Sequence, residues 1–224
     1  MIPKIIWQTH EWDYKDLPEV YKKTTSTWQK LNPDWEYRYL NASQRREMVK
    51  NIRPSLLDRY DGHSSEKYNG TDIGGMLQCD LWRVACIYEY GGVYADLDAI
   101  CIGTLDQMIE LYSDKDIVIS SNFLTKPNED LFKDSVLGIN YDFKVNSGAG
   151  FAGKKNSVVL KEMLDILEGN KEYTENFQSD WAMSHNEWEI FNSVCTNSSI
   201  DLISYDFRWS VHSYIFNHKN ATIL

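Results

Sequence analysis

No run of about 18 apolar residues occurs in this chain, so no segment reads as a transmembrane helix. The opening, Met1 into Ile2-Pro-Lys-Ile-Ile-Trp7, has no long apolar stretch of the export-signal kind. A soluble, cytoplasmic protein is the expectation. Basic charge is scarce as well: 23 Lys and Arg stand against 33 Asp and Glu, a net charge of −10. The basic stripe with interleaved aromatics that marks nucleic-acid binders is missing, which argues against a nucleic-acid partner. A phosphorylated ligand would need its charge met by something other than surface Lys and Arg, and a divalent cation on carboxylates would serve. The four cysteines, Cys79, Cys86, Cys101 and Cys195, show no CxxC or zinc-like spacing. They read as reduced, buried thiols rather than a disulfide framework. Repeats, low-complexity segments and evident linkers are absent too.

Aromatic residues are abundant, with eight Trp and fourteen Tyr. Most belong to a core, but Trp and Tyr also line ligand clefts, because each joins an apolar body to a polar tip. Strands are expected at Ile2–Trp7, Trp35–Leu40, Val93–Leu97, Ile117–Ser120, Val145–Ala152 and Ile200–Ser204. Leu17, Tyr21, Thr24, Trp28 and Leu31 fall at helical spacing ahead of Asn32-Pro33. Short helices are expected at Ser43–Lys50 and Ser55–Tyr60, a polar loop at Asp61–Gly75, and a long apolar helix at Met76–Tyr90. Gly91-Gly92 stops that helix. Ser157–Glu168 reads as an amphipathic helix capped around Asn156 and ended by Gly169. Strands alternating with helices predict an α/β fold with a central sheet flanked by helices.

The chemistry-bearing stretch is "YGGVYADLDAICIG", Tyr90 to Gly103. Asp96 and Asp98 close an apolar strand, where open α/β sheets bind their ligands. Two partly desolvated carboxylates are costly without a positive partner. Hard cations such as Mg²⁺ or Mn²⁺ suit them and commonly share their coordination shell with substrate phosphates. Asp114-Lys115-Asp116 has the same spacing but lies in a polar run, and reads as a solvated loop. Within the long helix, Asp80 and Arg83 are three residues apart and share a face. They are either an intrahelical ion pair or part of the rim of the same cleft.

"CDLWRVACIYEYGGVYADLDAICIGTLD", Cys79 to Asp106, resembles the glycosyltransferase sugar-binding region containing the DXD motif, glycosyltransferase family 32. Asp-x-x-Arg, a hydrophobic helix, Gly-Gly-x-Tyr and Asp-x-Asp occur in the family's order and spacing. "IPKIIWQTH" resembles the family's opening with His and Trp exchanged between Trp7 and His10. "VNSGAGFAGKKNSVVLKEML" resembles its later strand-loop-helix, and "FNHKNATIL" a worn copy of its His-rich ending.

The resemblance implies a GT-A fold, a single Rossmann-like domain over 1–224 with a mixed sheet. The donor would sit in about 1–155, and about 156–224 would form the acceptor side and close the metal site. It implies retaining transfer of a hexose from a nucleotide sugar, with a UDP-linked donor expected, to a glycan or other hydroxyl acceptor. Asp96 and Asp98 would hold Mn²⁺ or Mg²⁺, with His218 and Asn217 as further ligands from the C-terminal segment. Asp80 and Arg83 would grip the donor sugar. Trp7 would stack on the base, and Tyr94 and Asn146 would join the donor site, packing being the other reading for Tyr94. Trp181, His185 and Trp188 are acceptor-side candidates. Two alternatives stand: a nucleotidyltransferase on a similar fold, against which the absence of an N-terminal Gly-rich phosphate loop weighs, and a non-catalytic sugar- or metal-binding relative.

Overall fold

The computed structural model describes residues 1–68, 70–101, 103–119 and 150–171, then 190, 194–195 and 198, and the strand segments Ile203–Tyr205 and Ser210–His212. In chain order the elements are β1 (Ile5–Thr9), α1 (Glu19–Leu31), β2 (Glu36–Leu40), α2 (Ala42–Ile52), α3 (Leu57–Gly62), β3 (Lys67–Tyr68), β4 (Thr71–Asp72) and α4 (Gly74–Tyr90). They continue with β5 (Gly92–Ala95), β6 (Ala99–Cys101), α5 (Leu105–Leu111), β7 (Ile117–Ile119), β8 (Gly150–Gly153), α6 (Val158–Leu167), β9 (Ile203–Tyr205) and β10 (Ser210–His212).

Among the described residues, six strands form one open sheet in the order β2-β1-β5-β8-β7-β9. β1 runs parallel to β2 and β5, β8 runs antiparallel to β5 and β7, and β9 is parallel to β7. The expected α/β class with a mixed sheet between helices is therefore present. Side chains alternate between two cores, as the period of a strand requires. Trp7, Tyr94, Phe151, Ile117 and Ile119 meet residues of α2, α3, α4 and α6 on one face. Ile6, Val93, Ala152 and Val118 meet Trp28 of α1 and Leu105, Met108 and Ile109 of α5 on the other. β5, second neighbour to the β2 edge and covered on both sides, is buried along its whole length.

The Gly-Gly turn between α4 and β5 has a steric cause. Gly91 adopts φ +70° and Gly92 φ +108°, both unfavourable for L residues. A Cβ on Gly92 would also lie 2.5 Å from the Ile5 carbonyl oxygen. The turn thus lets a buried helix reverse directly into a central strand.

The structure departs from the expectations in four places. The stretch expected as a polar loop, Asp61–Gly75, holds the end of α3, a 3₁₀ turn at His63–Ser65 and the β3–β4 hairpin. The cap of α6 is Ser157, whose hydroxyl accepts from the Leu160 amide, not Asn156. The first strand begins at Ile5, beyond Pro3. Asp116 is not a solvated loop residue: it is 8% exposed and accepts from the Ser157 hydroxyl at 2.5 Å and the Val159 amide at 3.1 Å. A carboxylate at the start of α6 satisfies amides that the helix leaves unpaired and faces its positive end.

Candidate active site

The site is built where β5 ends. Asp96 follows its last residue, and Leu97 and Asp98 turn the chain into β6. The turn is held from α1, more than 70 residues earlier. Thr24 Oγ1 donates to the Leu97 carbonyl at 2.6 Å, and Trp28 Nε1 donates to the Ala99 carbonyl at 2.8 Å. Thr27 Oγ1 accepts from the Cys101 amide at 3.0 Å. From the first strand, Gln8 Nε2 donates to the Asp96 carbonyl at 3.1 Å, while its Oε1 accepts from the Tyr37 hydroxyl at 2.8 Å. The backbone between the two acids is thus fixed by hydrogen bonds before any ligand arrives.

The buried Asp80, Arg83 and Tyr94 form one network with the partly exposed Asp96. Arg83 Nη2 lies 2.6 Å from Asp80 Oδ1, and Nη1 lies 3.6 Å from Asp96 Oδ1. The Tyr94 hydroxyl donates to the same Asp96 oxygen at 2.6 Å, and the Arg83 guanidinium sits 5.2 Å from the Tyr94 ring centroid. Burial opposes the charge on Arg83, but Asp80, Tyr94 and Asp96 outweigh it and raise its pKa above the usual value. Tyr94 is pushed well up by burial and then by Asp96, so it stays a neutral donor. The Asp80–Arg83 pair is therefore an intrahelical ion pair whose guanidinium reaches the acid-bearing strand end.

Asp98 occupies the other side of the turn. Burial and the charge of Asp98 raise the pKa of Tyr21 on α1. The Tyr21 ring lies 5.3 Å from that of His10, which in turn lies 5.0 Å from Trp12. His10 is held below its usual pKa by burial, with Arg45 adding and Glu11 opposing, so it is neutral at pH 7.

Two expected donor contacts are corrected. Trp7 has no exposed surface. It packs edge-on to Trp82 and beside Tyr90, and its indole N–H donates to the Gly91 carbonyl at 3.0 Å. A base has no face of it to stack on; Trp7 clamps the Gly-Gly turn instead. Tyr94, 3% exposed, orients Asp96 rather than meeting a ligand directly. Asn146, Asn217, His218, Trp181, His185 and Trp188 lie outside the described residues. The cysteines are free thiols, and burial pushes Cys79 up to about 12 and Cys101 up to about 11, which leaves neither reactive at neutral pH.

Among the described residues, no group of three or more His, Cys, Asp or Glu could hold a metal ion. The donor set is Asp96 and Asp98, two hard carboxylates on a rigid turn. That fits a hard divalent cation which takes one or two protein carboxylates and completes its shell with substrate phosphates. One oxygen of Asp96 is engaged by Tyr94 and Arg83.

Residues 18–133, just over half of the chain, match the family model described as glycosyltransferase sugar-binding region containing DXD motif. The chain belongs to this family. The acid pair of its DXD motif stands here at the end of β5 in an open mixed sheet flanked by helices. Inositol phosphoceramide mannosyltransferase 3 of Schizosaccharomyces pombe is 34% identical over 108 residues, 48% of this chain and 27% of that protein. Mannosyl phosphorylinositol ceramide synthase SUR1 of Saccharomyces cerevisiae is 32% identical over 49% of this chain and 26% of its own length. The initiation-specific alpha-1,6-mannosyltransferase of Candida albicans is 27% identical over 48% and 27%. The matches thus span about a quarter of each relative. Among solved structures, the PaToxG glycosyltransferase covers 86% of this chain and 68% of its own with a TM-score of 0.47 at 13% identity. Among the described residues, no helix is long and apolar enough to cross a membrane.

Proposed function

We propose that this chain is the catalytic domain of a metal-dependent retaining glycosyltransferase that moves a hexose from a nucleotide sugar to a hydroxyl acceptor. The observation that carries the reading is the Asp80–Arg83–Asp96 network, which ends on a rigid turn with Asp98 two residues beyond its last acid. Three relatives named for mannosyl transfer favour mannose as the sugar, in place of the UDP-linked hexose that the resemblance alone suggests. Residues of about 1–155 would hold the donor, and the later segment the acceptor side.

A divalent cation on Asp98 and Asp96 would neutralise the diphosphate and stabilise it as a leaving group. Asp80 and Arg83 would accept from and donate to the sugar hydroxyls, holding C1 towards the acceptor. Their geometry is already set by each other and by Tyr94, so little ordering remains to be done when the donor binds. The bond from C1 to the diphosphate oxygen breaks with its electron pair leaving on that oxygen. The acceptor hydroxyl forms the new C1–O bond on the same face, and its proton passes to the departing phosphate oxygen. Thr24, Thr27 and Trp28 take no part in the bond changes; they keep the two acids in register.

The test is slow donor hydrolysis without acceptor. The protein is incubated with Mn²⁺ and a panel of UDP- and GDP-sugars, and free hexose is followed. Release that depends on Mn²⁺ and is lost in Asp98→Asn supports the reading. Pyrophosphate release from a nucleoside triphosphate would replace it with the nucleotidyltransferase alternative. Mn²⁺–nucleotide binding without any turnover would replace it with the non-catalytic one.

A further inference from the structure

The first strand buries a polar side chain completely, Gln8, next to the equally buried and apolar Ile6 and Trp7. Gln8 shares a face of β1 with Ile6, since side chains two residues apart on a strand point the same way. A primary amide taken out of water is costly unless it is hydrogen-bonded. Here both ends are bonded: Nε2 donates to the Asp96 carbonyl at 3.1 Å, and Oε1 accepts from the Tyr37 hydroxyl at 2.8 Å. The Asp96 carbonyl has a second donor, the Ala99 amide at 3.0 Å, which closes a turn over Asp96, Leu97, Asp98 and Ala99. The two acids are thus the first and third residues of one turn. Gln8 ties the acceptor that closes this turn to β1, the strand paired with β5.

The direction of these bonds is forced. A carbonyl oxygen only accepts, so the NH₂ end of the Gln8 amide must face Asp96 and its oxygen must face Tyr37. The Tyr37 hydroxyl then has to donate, and burial raises its pKa, which keeps the proton in place. Tyr37 lies on β2 in register with Ile6. One directed path therefore joins β2, β1 and the end of β5, and it finishes on the acid turn. Thr24 and Trp28 hold the Leu97 and Ala99 carbonyls from α1, whereas Gln8 holds the main chain of Asp96 itself. An apolar side chain of the same size would fill the space and leave that carbonyl with the Ala99 bond alone. With no exposed surface, Gln8 cannot meet a ligand; whatever it does for the site, it does through the turn.

We infer that Gln8, oriented by Tyr37, is a positioning residue for the acid pair. It fixes where the Asp96–Ala99 turn stands, and so the spacing at which Asp96 and Asp98 meet a divalent cation. The cation rests on the metal-dependent transferase reading; the anchoring of the turn does not.

The test uses Gln8→Met, close in length but unable to make either bond, and Tyr37→Phe. Two readouts are taken on the ¹⁵N-labelled chain. One is hydrogen exchange of the Ala99 amide, relative to the Gly91 amide before the start of β5. The other is Mn²⁺ affinity, from paramagnetic broadening of the Leu97 and Ala99 signals. Gln8→Met should speed Ala99 exchange and weaken Mn²⁺ by roughly tenfold each, the scale of one hydrogen bond. Tyr37→Phe should act in the same direction by roughly threefold, and add nothing in the Gln8→Met background, because it works through Gln8. Asp116→Ala, a change that removes buried hydrogen bonds away from the turn, should leave both readouts as they are. Unchanged exchange in Gln8→Met overturns the proposal. So does faster exchange with unaltered Mn²⁺ affinity, which would make Gln8 structural only. An undiminished further loss from Tyr37→Phe in the double variant overturns the orienting role of Tyr37. If Gln8→Met fails to fold, Tyr37→Phe decides on the same two readouts. If the unaltered protein binds no Mn²⁺, the metal-dependent reading falls, and Ala99 exchange still decides whether Gln8 anchors the turn.

Discussion

The hydroxyl of Thr24 donates to the carbonyl of Leu97 at 2.6 Å, so the residue between the two acids is held by a helix 73 positions upstream. This carbonyl is buried, and a buried acceptor that loses its donor costs about 1–3 kcal/mol. Thr24→Val should lower stability by about that much in urea unfolding. It should also raise the donor KM, because the turn loses one of its fixed points. Ser26→Ala, on the exposed side of the same helix, should change neither.

Asp116 offers a contrast to the acid pair that has the same spacing in sequence. Asp116→Ala removes the acceptor for both Ser157 and the Val159 amide and should cost about 1–3 kcal/mol. Mn²⁺–nucleotide binding by the protein that remains folded should be unchanged. Asp98→Asn should do the reverse, abolishing that binding with little loss of stability. Thermal unfolding and nucleotide titration of the two variants decide it together.

Arg83 faces two carboxylates, so removing it alone is unlike removing the pair. Arg83→Met should destabilise by roughly 3–5 kcal/mol, the usual cost of breaking a buried ion pair from one side. Adding Asp80→Leu should recover most of that loss. Hexose release should stay abolished in both variants. Full recovery of turnover in the double variant would reduce the pair to a structural one.

His10 makes stability depend on pH. Its pKa in the folded state lies below the unfolded value of about 6.5, because burial disfavours the imidazolium. The unfolded chain therefore binds more protons as the pH falls through that range. The contribution of His10 is fully present above about pH 6.5 and is lost as pH drops towards and through the folded pKa. His10→Asn should flatten this part of the stability profile, measured by urea unfolding between pH 7.5 and 5 (roughly the histidine range).

Much of the site was legible along the chain because its signals are local. An apolar helix, two glycines, an apolar strand and two acids occur within Met76–Asp98, and each element is specified by its own period or by backbone sterics. That stretch alone placed the acids at a strand end, with Asp80 and Arg83 on one helix face, and carried the family resemblance.

Contacts between distant segments decided the rest. The family resemblance makes Trp7 a ligand-stacking residue, and nothing local corrects it, because it sits in a strand that is buried on both faces. In such strands an apolar run does not reveal which side chain faces solvent. Only the pairing of β1 between β2 and β5 encloses it. Asp114-Lys115-Asp116 looks hydrated until α6, 41 residues on, brings its unpaired amides to Asp116. The grip of Thr24, Thr27 and Trp28 on the acid turn, and of Arg45 on Glu11, likewise joins residues 34 to 74 positions apart. A hydrogen bond across such a separation leaves no periodicity in sequence. It exists only once burial has removed the water that would otherwise satisfy both groups.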